Sequence, residues 1–320
     1  MFSLEEANQL RDSLQEIDFK TPVSDDAVVQ SYIKYYGLDF NSSEQGVTHS
    51  MGCFSSQQFK IACQYFALSA HDTKGTVVIV HGYYDHVGLY NHLIGHCLSS
   101  GYSVIAFDLP GHGISSGEAA SIESFDHYSE ALADCLQLAQ KNGLVKPWYL
   151  LGQSMGGATI INSLLKPQQF SQLQFNKIVL LAPLLKPSDW VNGQIRYFLF
   201  HLFVKRVKRD FVENTHDEEF LKFIFENDPL QSRYLPVDWV GSLKQYLKDF
   251  DLAPESQEPI HIIQGTDDNT VDWQYNLPAL SGKFPNARTY IIDHARHHLV
   301  NDSVDFRGKV FATIDEIIAP

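Results

Sequence analysis

The feature that most constrains this chain is a rhythm of short apolar runs. They fall at 77–80, 104–107, 149–151, 178–181, 260–263 and 289–292. Helical patterning separates most of them, over 87–99, 123–142, 155–166, 273–284 and 303–318. Near-continuous apolar runs of this length suit strands buried on both faces. Their alternation with helices predicts βαβ units, a mostly parallel central sheet with helices on both faces, and right-handed crossovers. Before this rhythm begins, Phe59, Ile61, Cys63, Tyr65 and Ala67 alternate with more polar neighbours, so 48–68 reads as an antiparallel hairpin. Residues 1–45 read as a polar helical extension, opened by Ser3 and Glu6 at capping-box spacing. One connection breaks the pattern. A structureless loop of roughly 75 residues is improbable in a compact domain. Residues 184–256 therefore read as an inserted helical cap, with 46–183 and 257–320 as the α/β core.

Charge excludes one class of partner. With 24 basic against 38 acidic residues the net charge is −14, which makes nucleic acid a poor ligand. Hydrophobic residues at 44% and charged residues at 19% suit a packed globule, and 12% aromatics suggest an apolar pocket. The four cysteines, Cys53, Cys63, Cys97 and Cys135, form no CxxC and no metal spacing, and read as buried reduced thiols. Cys53 and Cys63 could pair across the hairpin only in an exported protein. Residues 1–16 lack the basic and apolar regions of a leader. No apolar run reaches the ~20 residues that span a bilayer, so a cytoplasmic location is expected. No HExxH occurs among the 14 histidines and no GxGxxG follows a strand, so neither metal nor cofactor is expected. Oligomeric state is not legible.

The chemistry is carried by Gly152-Gln153-Ser154-Met155-Gly156-Gly157, between an expected strand and an expected helix. G-x-S-x-G in that setting is a sharp turn that lifts the serine hydroxyl clear of the sheet and aims a helix amino end at it. A serine hydroxyl is a weak nucleophile until a base takes its proton. The order expected on such a sheet is Ser, then acid, then His. The loop after 260–263 offers Asp267, Asp268 and Asp272, and the loop after 289–292 offers His294, His297 and His298. Both loops fall at strand carboxyl ends, where α/β sheets place their sites. Two backbone N–H donors should hold an oxyanion, one from Met155 and one from Tyr83 in the His81-Gly82-Tyr83 loop. His81 reads as a brace for that loop rather than as the base.

These segments resemble α/β-hydrolases of the monoacylglycerol lipase and lysophospholipase type. HGYYDHVGLY over 81–90 is similar to that group's HGxxEHxxxY, with Asp85 in place of Glu. DLPGHGISSG over 108–117 is similar to its DxxGHGxSxG loop, and GQSMGG to its serine turn. Residues 265–272 match GxxDxxVD, which implies Asp268 as the acid. HHLVND over 297–302 resembles HELxxE, which implies His297 as the base. The resemblance implies an α/β-hydrolase fold and a serine hydrolase that cleaves carboxylic esters through an acyl-enzyme, by means of Ser154, Asp268 and His297. It covers neither residues 1–45 nor the cap.

In the cap, IRYFLFHLFVKRVKRDFV over 195–212 reads as a helix carrying Phe198, Leu199, Leu202 and Phe203 on one face. Lys205, Arg206, Lys208 and Arg209 would follow near its carboxyl end. Those apolar residues are expected to line a substrate pocket, pack on the core, or touch a membrane surface transiently. A greasy cap favours a small-molecule ester with an acyl chain, since each buried CH₂ contributes about 0.8 kcal/mol. A monoacylglycerol or lysophospholipid is the preferred substrate. A peptidase on the same fold and a non-catalytic ligand-binding protein are the alternatives.

Overall fold

Two helices, α1 (Leu4–Ser13) and α2 (Ala27–Tyr36), open the chain. The alternating segment forms β1 (Thr48–Ser56) and β2 (Phe59–Ala67), and the apolar runs form β3 (Thr76–Val80), β4 (Ser103–Phe107), β5 (Trp148–Gln153) and β6 (Lys177–Leu181). Between these strands lie α3 (Asn91–Ser99), α4 (Phe125–Lys141) and α5 (Met155–Leu165). Next come α6 (Trp190–Phe200), β7 (Arg206–Lys208), α7 (Glu218–Lys222), β8 (Tyr234–Pro236) and α8 (Val237–Leu252). The chain ends with β9 (Ile260–Gly265), α9 (Trp273–Lys283), β10 (Arg288–Ile292) and α10 (Val304–Ile318). This computed structural model describes residues 2–40, 46–166, 174–201, 203–209 and 211–319, without the side chains of Ile195, Arg196, Leu199 and Phe200.

Eight strands form one sheet in the order β1-β2-β4-β3-β5-β6-β9-β10. The β1–β2 and β2–β4 pairs are antiparallel and the other pairs are parallel. Strand β3 shows why. Its sequence TVVIV is entirely β-branched and every residue is buried. Val78 and Val80 pack into one core with Leu132 of α4, Ile160 of α5 and Leu243 of α8. Val77 and Ile79 pack into the other with Leu10 of α1, Ile33 of α2, Ile94 of α3 and Ile314 of α10. After β3 the chain runs to β4 on one side and then to β5 on the other, which makes this the switch point where such sheets open a crevice at their carboxyl ends.

The amino-terminal capping box is present: Ser3 Oγ accepts from Glu6 N–H at 3.2 Å, and Ser3 N–H donates to Glu6 Oε2 at 2.8 Å. The helix expected over 195–212 is not. Helix α6 stops at Phe200, and the basic residues that follow enter β7, antiparallel to β8. Valine alternating with basic residues suits a strand, and the Arg206 guanidinium lies 4.3 Å from the centre of the Tyr234 ring across the pair. Cys53 and Cys63 point into opposite cores and, like Cys97 and Cys135, are free and buried. Among the described residues no helix is long and apolar enough to cross a membrane.

Candidate active site

Ser154 joins β5 to α5 at φ 52° and ψ −111°. A non-glycine residue in the left-handed region costs on the order of 1–3 kcal/mol and persists only when its surroundings over-determine it. Here they do. Ser154 N–H donates to the Leu181 carbonyl at 2.8 Å, and the Ser154 carbonyl accepts from Ala158 and Leu184, each at 3.0 Å. The turn also needs Gly156, where a Cβ would lie 2.1 Å from the Val80 carbonyl oxygen. Close approach of backbone to backbone is what that glycine supplies.

Residues from three loops meet at this turn. His297 Nε2 lies 2.9 Å from Ser154 Oγ, and His297 Nδ1 lies 2.8 Å from Asp268 Oδ2. All three residues are buried. A proton on Nδ1 donated to Asp268 leaves Nε2 free to accept from the serine hydroxyl. Asp268 is itself fixed: Oδ1 accepts from Thr270 and Val271 N–H at 2.9 and 3.1 Å, and Oδ2 accepts from Gln264 Nε2 at 2.9 Å. Burial pushes its carboxyl pKa up, but His297 and these donors outweigh burial and hold it below the ordinary value. The other candidates lie elsewhere. Asp267 faces the exposed His294 at 3.5 Å, and Asp272 caps α9 by accepting from Tyr275 N–H at 3.2 Å.

The loop after β3 is braced from behind. His81 Nε2 accepts from Leu109 N–H at 2.8 Å while Nδ1 reaches the Gly82 carbonyl at 2.8 Å, and burial pushes its pKa down to about 3. It is a neutral strut. Gly82 N–H donates to Tyr90 OH at 2.9 Å, and Tyr90 OH donates to Asp85 Oδ2 at 2.9 Å. Asp85 Oδ1 faces His298 Nε2 at 3.2 Å. Burial raises the Asp85 carboxyl, but the His298 imidazole beside it reverses this and leaves the pKa low. Reading the sequence missed this second His–Asp pair. The doubled histidine at 297–298 and the acid at 85 were its only traces. Met155 is the first residue of α5, and such N–H groups have no partner within the helix.

A cavity of about 400 Å³ opens onto Ser154 and His297. Leu184, Trp190, Leu235, Trp239, Val240 and Leu243 supply apolar wall, and Tyr83 and Tyr84 also face it. Tyr83 is stacked on Trp239 and tilted against Tyr84, with ring centres 3.7 and 4.0 Å away. The expected pocket residues lie elsewhere: Phe198 is 75% exposed and Phe203 85% exposed, and neither lines the cavity. Phe198 lies within α6 on its exposed side, and Phe203 follows the helix end. Leu202 and the Leu199 side chain fall outside the described residues.

Fold and site together define an α/β-hydrolase with the residue arrangement of a serine hydrolase. A family profile described as serine aminopeptidase, S33, matches residues 71–304, and the chain belongs to that family. It is 28% identical over 222 residues to phospholipase YtpA of Bacillus subtilis, covering 67% of this chain and 83% of that one. It is 27% identical over 265 residues to a monoglyceride lipase homolog of monkeypox virus, covering 80% of this chain and 92% of that one. Against three further curated relatives it spans 21%, 32% and 57% of their lengths. A soluble variant of monoglyceride lipase from Saccharomyces cerevisiae, crystallised with a substrate analog, shares the fold with a TM-score of 0.70. Identity there is 18%, over 82% of this chain and 92% of that one.

Proposed function

We propose that this protein is a lipase-like serine hydrolase that cleaves a monoacyl carboxylic ester, a monoacylglycerol or a lysophospholipid, through an acyl-enzyme. The observation that carries the reading is the buried hydrogen-bonded chain Ser154–His297–Asp268 at the mouth of a largely apolar cavity. Ser154 Oγ attacks the ester carbonyl while His297 Nε2 takes its proton. Asp268 holds the imidazole in orientation and stabilises its cationic form. The N–H groups of Tyr83 and Met155 receive the developing oxyanion, each worth roughly 2.7–4 kcal/mol of transition-state stabilisation. His297 returns the proton to the leaving alcohol. It then activates water to release the acid and restore Ser154. The acyl chain rests among Leu184, Trp190 and Leu243.

Residues 184–256 act as the cap. They supply Trp190, Leu235, Trp239 and Leu243 to the cavity. Away from the cavity lining the cap exposes Val191, Phe198 and Phe203, and the exposed Lys205 and Arg206 follow closely in the chain. Exposed apolar residues with cations nearby in the chain suit transient contact with an anionic membrane surface, where such an ester resides. The family description favours a peptidase as the second reading, but a free amino terminus needs carboxylates to receive it. Among the described residues the cavity presents one, Asp189, against Lys208 and Arg209. Free buried cysteines support a reducing, cytoplasmic location. The test is hydrolysis of p-nitrophenyl esters from acetate to palmitate by the wild type and by Ser154→Ala. Loss of turnover on the order of 10⁴–10⁶-fold in a variant that stays folded is expected. Retained turnover removes the reading.

A further inference from the structure

We propose that the cavity contains an anion subsite at Arg209 and that the preferred substrate is a monoacyl ester whose alcohol portion carries a phosphate. The proposal rests on the ester-hydrolase reading above and selects within it. Arg209 follows β7 and lines the same cavity as Ser154 and His297. Its guanidinium is clamped between two aromatic faces, 3.7 Å from the centre of the Tyr84 ring and 4.4 Å from that of Phe211. Its protein hydrogen bonds run from Nη1 alone, to Gln231 Oε1 at 2.8 Å and the Ser232 carbonyl at 3.4 Å. Both acceptors are neutral. Among the described residues no carboxylate forms an ion pair with Arg209, and no acceptor meets its Nε or Nη2 groups.

Among the described residues Arg209 has no carboxylate in contact, and Asp85 acts on it only at longer range; a partly buried cation held this way is a costly arrangement for folding alone. It is a suitable one for binding, because the planar donor fork is already oriented to receive phosphate oxygens. Neighbouring residues fix that orientation. Gln231 Nε2 donates to the Tyr84 carbonyl at 2.9 Å and to Asp228 Oδ2 at 3.0 Å, which turns Oε1 toward Arg209. Asp228 is anchored in turn by Tyr36 OH at 2.8 Å and faces His86 Nε2 at 3.0 Å.

The location matches the chemistry. Trp239, Tyr83, Tyr84 and Arg209 make successive ring contacts along the cavity wall, stacked at Trp239–Tyr83 and tilted at Tyr83–Tyr84. Tyr83 supplies an N–H to the reacting carbonyl in the proposed mechanism, and Arg209 lines the same cavity against the neighbouring Tyr84 ring. A glycerol unit is the spacer that the proposal sets between the ester and the phosphate. Lys208 lines the same cavity and adds a second cation.

The test compares a 1-acylglycerol with the 1-acylglycerol 3-phosphate of equal chain length, both below their micellar range, with p-nitrophenyl butyrate as a substrate lacking a headgroup. The wild type should favour the phosphorylated ester at least about tenfold in kcat/KM. Arg209→Gln should collapse that ratio by about 10- to 100-fold, the range expected for losing a charge-assisted contact, and mainly through KM. Arg209→Lys should restore only part of it. Glycerol 3-phosphate should compete with p-nitrophenyl butyrate in the wild type and compete poorly in Arg209→Gln. The wild-type half of that arm uses the unaltered protein and stands even if the variants fold badly. A wild type that favours the neutral ester, or an Arg209→Gln ratio equal to wild type, overturns the proposal. Inorganic phosphate competing as well as glycerol 3-phosphate overturns it as a headgroup site. Failure on every ester, p-nitrophenyl butyrate included, instead removes the ester-hydrolase reading itself.

Discussion

The carboxyl edge of the sheet and the segment between β6 and β9 treat their apolar residues in opposite ways. At the sheet every residue of β3, β4 and β5 is buried, and the reactive groups stand on loops that backbone packing defines tightly. In the intervening segment Phe198 and Phe203 face outward, and only one side of α8 is packed. One region is built to hold three side chains in line. The other is built to present surfaces, one to a cavity and one to the outside. Precision and contact are thus divided between two parts of a single chain.

The sharpest way to break this division lies at the acid. Asp268→Asn should lower kcat by about 10⁴-fold, since an amide favours the wrong imidazole tautomer. Asp267→Asn should leave turnover within about twofold, as expected of an exposed pair. Equal losses in steady-state assays would show that the site is less tightly specified than its geometry states. The same pair has a pH signature. Asp268 has a folded pKa below its ordinary value of 3.8. The stability it contributes is complete above that ordinary value and is lost as pH falls through the lower folded one. Thermal melts of Asp268→Asn should therefore fall less steeply in acid than those of the wild type.

A smaller effect is expected one layer back. Tyr90→Phe removes the hydroxyl that links Gly82 N–H to Asp85, leaving two buried polar groups short of a partner. Such a loss costs about 1–3 kcal/mol, so both melting temperature and kcat should drop. An unchanged kcat with a lowered melting temperature would separate the brace from the reaction. The smallest effect on stability belongs to the other region. Phe198→Ser with Phe203→Ser should change folding by less than about 0.5 kcal/mol each while weakening co-sedimentation with anionic vesicles. Destabilisation in place of lost binding would mean that these rings pack rather than dock.

Much of the sheet and the reactive trio could be read from residue order because local chemistry dictates them. Valine and isoleucine runs form buried strands, glycine at 152 and 156 admits a tight turn, and Ser3 with Glu6 caps a helix. Chain spacing alone could not choose among Asp267, Asp268 and Asp272. That choice is made by donors on Gln264, Thr270 and Val271, and by which carboxylate the fold turns inward. The Asp85–His298 contact joins residues 213 positions apart, beyond any local pattern. The stretch after Phe200 misled for another reason. Its apolar spacing fits a helix, but pairing with Tyr234–Pro236 decides its form, and pairing is a tertiary event.

The first forty residues are more than an appendage. Phe2 is buried against Tyr32 and Tyr36, and the Tyr36 hydroxyl reaches the Asp228 carboxylate, which in turn orders Gln231 beside Arg209. A graft or trim at the leading end is therefore transmitted, link by link, to the rim where substrate arrives. Anyone shortening this protein for convenience would be loosening a tether on its specificity.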